Sequence, residues 1–152
     1  MQVTIYTDGA SSGNPGPGGL GVVMKAGGHQ KEISEGFRKT TNNRMELLAV
    51  IRGLEALKKP NLDVLVVSDS KYVVDTVSKG WLWNWLKTGF KGKKNEDLWQ
   101  RYAQLHRVFK PKFKWIKGHA GHPENERCDE LAVIAAKRPG LPADIGYERS
   151  IS

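Results

Sequence analysis

Residues 2–37 read QVTIYTDGASSGNPGPGGLGVVMKAGGHQKEISEGF, and the fold turns on how they are parsed. Gln2–Thr7 is short and rich in β-branched and aromatic residues, a strand signature. Asp8–Gly19 is a turn dense in glycine and proline. Leu20–Lys25 reads as a second strand, Gly27-Gly28 as a tight turn, and Gln30–Phe37 as the third strand of a meander. Beyond the meander the period changes. Asn43–Lys58 places Leu47, Leu48, Ile51, Leu54 and Leu57 on one helical face, and Pro60 ends it. Val64–Val67 is a buried-type strand. Ser70–Ser78 and Leu82–Lys87 read as short helices, and Glu96–Phe109 as a longer one stopped by Pro111. Phe113–Ile116 is a fifth strand. Pro123–Lys137 is a last helix, with proline in its first turn and Pro139 beyond its end. The order βββαβαααβα predicts an α/β fold with a mixed five-stranded sheet flanked by helices.

No repeat, low-complexity tract or linker divides the 152 residues, so one domain spanning 1–152 is expected. Pro139-Gly140 and Pro142 predict that residues 139–152 leave the last helix as a flexible coil tail. The longest apolar runs, Val64–Val67 and Leu131–Ala136, are far short of the ~20 residues of a membrane span. Met1–Thr4 has neither the basic start nor the apolar stretch of a signal peptide. The lone Cys128 cannot form an internal disulfide. A reducing, cytoplasmic setting without a membrane partner is the expectation.

Charge is distributed unevenly. The chain carries 24 Lys/Arg and 16 Asp/Glu, a net of +8. From Lys79 to Lys117 there are eleven basic residues against two acids, and all five tryptophans lie there; the remainder nets −1. A basic stretch interleaved with aromatics suits phosphate neutralisation and stacking on bases or sugars. A solvated basic face over an aromatic core is the plainer alternative.

Two acids stand just past strand ends, Asp8 in Thr7-Asp8-Gly9 and Asp69 in Ser68-Asp69-Ser70. That is where open α/β sheets place ligands. An Asx-turn at Asp8 and a helix N-cap at Asp69 are the ordinary explanations. Glu46 follows Asn43 by three residues, the spacing of a capping box, and Asp129 lies in the acidic opening of the last helix. Together these four acids describe a different object. Carboxylates gathered at one mouth repel and raise one another's pKa unless divalent cations neutralise them. Oxygen-only ligands favour Mg²⁺ or Mn²⁺ over zinc. A zinc site built from His119, His122 and Cys128 fits no standard spacing. His119, in a glycine-flanked loop, suits a proton relay near neutral pH.

These residues fall within TDGASSGNPGPGG at 7–19, TTNNRMEL at 40–47, SDSKYV at 68–73 and WIKGHAGHPENERCDELA at 115–132. In type and order these motifs resemble those of type 1 ribonuclease H in its compact bacterial form, over essentially residues 2–148. The resemblance implies a five-stranded mixed sheet with flanking helices. It implies an endonuclease that cleaves the RNA strand of RNA·DNA hybrids, leaving 3′-hydroxyl and 5′-phosphate ends, and acts as a monomer. Asp8, Glu46, Asp69 and Asp129 occupy its metal-ligand positions for two Mg²⁺, with Mn²⁺ as a substitute, and His119 its loop histidine. His122 does not match that histidine.

The resemblance also implies that Asn14, Asn42 and Asn43 contact the RNA strand. Their amides both donate and accept, which suits a 2′-hydroxyl. Lys39, Thr41 and Asn84 match a pocket for a phosphate of the DNA strand. Trp81, Trp85 and Lys87 fall in a basic protrusion that Lys91, Lys93 and Lys94 extend. The stretch from Trp85 to Trp99 is several residues shorter than in longer bacterial members, Lys71 stands where glutamine is common, and Ser11 where cysteine is common. Another metal-dependent nuclease of the same superfold, such as a junction resolvase, and a non-catalytic hybrid-binding module are the alternatives.

Overall fold

A computed structural model describes all of residues 1–152. Its elements run β1 (Gln2–Ser11), β2 (Gly16–Ala26), β3 (His29–Thr40), α1 (Asn42–Glu55), β4 (Asp63–Ser68), α2 (Lys71–Ser78), α3 (Trp81–Lys87), α4 (Glu96–Phe109), β5 (Lys112–Trp115), α5 (Pro123–Ala136) and α6 (Ile145–Ser150). The sheet order is β3-β2-β1-β4-β5. The meander is antiparallel; β4 joins β1, and β5 joins β4, in parallel. It is therefore a mixed sheet of five strands, in an α/β arrangement. No helix is long and apolar enough to cross a membrane.

The strands of the meander outrun their sequence boundaries. β1 continues through Asp8 to Ser11 because Asp8 pairs with Gly21 and Ser11 with Gly18. Glycine turns out to be strand here as well as turn.

α1 is the central helix. Its residues from Arg44 to Ile51 are all buried. It lies on the sheet face that carries Ile5, Leu20 and Val22, which join Trp99 and Tyr102 of α4 and Leu82 of α3 in one apolar cluster. α5 covers the opposite face, close enough for Cys128 Sγ to reach the carbonyl oxygen of Tyr6 at 3.2 Å. α1 begins with Thr41 as its N-cap, whose hydroxyl accepts from Arg44 N–H at 3.3 Å. The capping box expected from Asn43 and Glu46 does not form, and the Glu46 side chain is free for another use. α1 also ends earlier than expected, with Ala56 as its C-cap, so Lys58 lies beyond it.

The coil expected over residues 139–152 is corrected in part: residues 145–150 form α6. Asp144 caps it, accepting from Tyr147 N–H at 3.2 Å, and is itself buried. Its carboxylate also accepts from Thr40 Oγ1 at 2.6 Å and from Arg44 Nε at 2.9 Å. A buried charge with four hydrogen bonds ties the C-terminal segment to the start of α1.

Candidate active site

Parallel pairing builds the site. Tyr6 is opposite Val67, the last pair of the β1–β4 ladder, so two residues further on Asp8, still within β1, stands abreast of Asp69 just past the end of β4. Ser70, not Asp69, caps α2, its hydroxyl accepting from Val73 N–H at 3.2 Å. The Asp69 carboxylate is thereby left out of the cap. Asp8 does accept the ordinary turn bond from Gly9 N–H at 2.9 Å. Glu46 arrives from α1, which crosses β1 so closely that a Cβ at Gly9 would run into the Glu46 backbone nitrogen. Glycine there is a condition for bringing the two carboxylates together.

Oxygens of Asp8, Glu46 and Asp69 lie within 4.8 Å of one another. Asp8 and Glu46 are buried, and Glu46 Oε1 and Asp69 Oδ1 have no hydrogen-bond partner. Burial first, and the Asp69 charge second, push the Asp8 carboxyl up from 3.8 to about 7. Burial, then the charges of Asp8 and Asp69, raise Glu46 well above the usual carboxylate range. No cationic side chain is among the groups that shift either acid. Orphaned buried carboxylate oxygens in an all-oxygen cluster fit a hard divalent cation of the Mg²⁺ or Mn²⁺ kind.

Asp129, on α5, stands outside that tight triad. It lines the same cleft of about 270 Å³ as Asp8 and Asp69. Its charge contributes to raising Asp8. It is the seventh residue of α5, beyond the first turn where Glu124 and Glu126 meet the helix dipole. His119 and His122 line the cleft too. His119 holds a left-handed backbone conformation, φ 56°, in the loop between β5 and α5. His122 is the N-cap residue of α5. That loop lies against the acids: a Cβ at Gly118 would come within 2.8 Å of Asp69 Oδ2.

The residues matched to substrate contact lie around a second cleft and beyond it. Asn14, Thr41 and Asn43 line a cleft of about 610 Å³ together with Lys93, Lys94 and Tyr147. Asn14 Oδ1 accepts from Asn42 N–H at 3.0 Å, fastening the β1–β2 turn to the start of α1. Lys39 is exposed at the end of β3, while Trp81, Asn84, Trp85 and Lys87 are carried by α3. The five tryptophans divide. Trp99 is fully buried, Trp85 packs edge-on against it, and Trp81 and Trp115 are exposed. Lysine ammoniums sit over the rings of Trp81, Trp85 and Trp115 at 4.9–5.4 Å, cation–π contacts that hold positive charge beside aromatic faces.

One lining residue escaped the sequence reading. Asn125 borders the carboxylate cleft, and both polar atoms of its amide are buried without a partner. It precedes Asp129 by four residues, one helical turn, so the two share a face of α5. That spacing was legible in the motif at 115–132.

An all-oxygen carboxylate cluster at the mouth of a mixed sheet defines a candidate divalent-cation site, and comparison with known proteins places it. The family model described as RNase H matches residues 1–137. A curated ribonuclease H of Desulforamulus reducens is 58% identical over 149 residues, covering 95% of this chain and 93% of its relative. One from Klebsiella pneumoniae subsp. pneumoniae is 52% identical, covering 96% of each. Among solved structures, a type 1 RNase H with the type 2 active-site motif is similar at a TM-score of 0.77 and 33% identity, over 99% of this chain and 81% of the other. A metagenomic RNase H from compost, solved in complex with an RNA/DNA hybrid, is similar at 0.67 and 28% identity, over 99% of each. The chain belongs to the ribonuclease H family, as a type 1 enzyme.

Proposed function

We propose that this ribonuclease H hydrolyses the RNA strand of RNA·DNA hybrids with two divalent metal ions, Mg²⁺ by preference and Mn²⁺ as a substitute, giving 3′-hydroxyl and 5′-phosphate ends. One observation carries the reading: Asp8 and Asp69 from neighbouring strands and Glu46 from α1 gather as three mutually repelling carboxylates, with buried oxygens of Glu46 and Asp69 left unpartnered. Asp8, Glu46, Asp69 and Asp129 would hold the ions, with Asp8 as the central ligand, Asp69 and Glu46 to one side of it and Asp129 to the other. Bound there, such ions would supply an activated water and charge neutralisation at the leaving oxygen. His119, on its loop beside Asp69, takes up or delivers a proton at the cleft mouth.

Asn14, Asn42 and Asn43 are assigned to the RNA strand near the scissile bond. Lys39, Thr41 and Asn84 are assigned to a phosphate of the DNA strand, and Trp81, Trp85 and Lys87 to the same strand further along. The relative solved with an RNA/DNA hybrid supports that substrate. Cys128 is buried and unpaired, which agrees with a reducing, cytoplasmic setting. The enzyme works as a monomer.

The deciding experiment offers labelled RNA·DNA, double-stranded RNA and double-stranded DNA with EDTA, Mg²⁺ or Mn²⁺. Cleavage of RNA in the hybrid alone, absent in EDTA and restored by either ion, is the expected result. Equal cleavage of double-stranded DNA points to another nuclease of the superfold, metal-independent turnover rules out the site, and binding without cleavage leaves a hybrid-binding module.

A further inference from the structure

Helices cover the two halves of the sheet unequally. α5 packs on β1, β2 and β3, and its main contacts stop short of β4 and β5. Register and alternation say which side chains stand on that less covered stretch. Thr4, Leu65 and Lys112 form one row across β1, β4 and β5, and Tyr6, Val67 and Lys114 form the next. The row after that holds Asp8 and Asp69, so the strip runs into the carboxylate cleft. Thr4, Tyr6 and Leu65 are half-buried, and Lys112 and Lys114 are exposed. The other face of β5 is occupied: Phe113 packs on Tyr102 with ring centroids 6.2 Å apart, and Trp115 carries the Lys71 ammonium at 4.9 Å.

Charge on the strip is of one sign. Lys117 lines the cleft with Asp69, and Lys114 and Lys112 lead away from it along β5. None of the three is in an ion pair. No Asp or Glu occurs from Leu98 to Lys117. Glu124, whose charge reaches Tyr6 from α5, is already paired with Lys25 at 2.7 Å. Asp63, opposite Gln2, ends the strip at its far side. Lysine on an edge strand also guards against edge-to-edge pairing. That accounts for Lys112 and Lys114, but not for Lys117, which lies beyond the end of β5 and borders the cleft.

We propose that this strip is a track for the RNA strand where it leaves the duplex as a single strand, its phosphates against Lys117, Lys114 and Lys112. The inference rests on the catalytic reading, since the strand held at Asp8 and Asp69 is the one that continues onto the next row. Charge selects a polyanion, and a second copy of this chain, itself at +8, meets like charge. The arrangement selects a single strand, because a duplex presents two rows of phosphates and cations line one side only. Lys112 and Lys117 are five residues apart, roughly 17 Å at the rise of a β-strand, so the track takes a few nucleotides.

The test compares steady-state cleavage in Mg²⁺ of a blunt RNA·DNA hybrid and of the same hybrid with a short single-stranded RNA extension at one end or the other. One of the extensions should lower KM several-fold. Lys112→Gln with Lys114→Gln should abolish that advantage and leave KM for the blunt hybrid unchanged. It should also cut the log–log salt slope of the extended hybrid's KM by about 0.7 per lysine. Lys58→Gln with Lys59→Gln, the same change of charge after α1, should do none of this. A wild-type KM indifferent to both extensions, an advantage that survives in the Lys112/Lys114 variant, or an equal rise for blunt and extended hybrids would each overturn the track. Failure to cleave any hybrid would instead defeat the catalytic reading. The track is then decided without turnover, by backbone amide shifts of the isotopically labelled metal-free chain with a short oligouridylate. Shifts at Leu65, Lys112 and Lys114 that vanish in the variant support it, and shifts confined to residues 79–94 refute it.

Discussion

Arg44 and Glu46 are two residues apart near the start of α1, and their surroundings differ in kind. All five guanidinium hydrogens of Arg44 have acceptors in Asp97, Asp144 and Asn95. Burial works against its charge, but the hydrogen bonds to Asp97 and Asp144 hold it charged. Glu46 is as well buried, and its nearest charges are two further acids. The chain neutralises one cluster from its own residues and leaves the other uncompensated. An uncompensated buried cluster is destabilising unless something outside the chain completes it. The contrast separates a group kept for the fold from one kept for a ligand.

The sharpest way to break the contrast is to remove one acid from each side. Asp8→Asn should lower kcat on RNA·DNA by about 10³-fold or more, the scale of losing a principal electrostatic element. It should also leave the metal-free fold at least as stable at pH 7, since it relieves repulsion. Full activity, or a large loss of stability in urea, would sink the assignment. Asp144→Ala should do the reverse. Stranding buried Arg44 should remove about 3–5 kcal/mol in urea unfolding, and a loss below about 1 kcal/mol would mean the network is ornamental.

A pH series sharpens the comparison without mutation. In the metal-free protein, folded Asp8 titrates near 7 against 3.8 unfolded. Between those values the folded state binds the proton more tightly, so stability falls as pH rises from about 4 to 7. Saturating Mg²⁺ should flatten that slope, and a metal-free curve that rises through this window contradicts the clustering. The smallest effect belongs to the basic segment. Changing Lys87, Lys91, Lys93 and Lys94 to alanine should raise KM for the hybrid several-fold and reduce its salt dependence, with kcat held. An unchanged KM at physiological salt would make these lysines bystanders.

Much of this was legible in the residues, and the omissions share a cause. The element order up to α5, the bounds of α4 and the position of Asp69 just past β4 follow from local periodicity and punctuation, whereas Asp8 lies inside β1, just past the end of its ladder with β4. Glu46 was ambiguous because Asn43, three residues before it, reads as the cap of a capping box; the cap in use is Thr41, and the close approach of α1 to Gly9 carries Glu46 to Asp8 instead. α6 was missed because Pro139, Gly140 and Pro142 signal its approach as coil. What orders it is Arg44, one hundred residues earlier in the chain. The division of the tryptophans was likewise invisible: Trp99 and Trp115 share composition and charge context, and packing alone sends one inward.

The β1–β4 ladder has a consequence beyond holding the sheet together. Side chains on a strand alternate faces, so a slip of one residue would turn Asp8 away from Asp69 and Asp129 and towards the α1 side of the sheet. Apolar partners such as Val3 with Val64 and Ile5 with Val66 therefore act as the alignment pins of the chemistry. Damage to them should surface first as poor ion affinity in a molecule that still looks folded, so a metal titration is a finer gauge of sheet registration here than a melting curve.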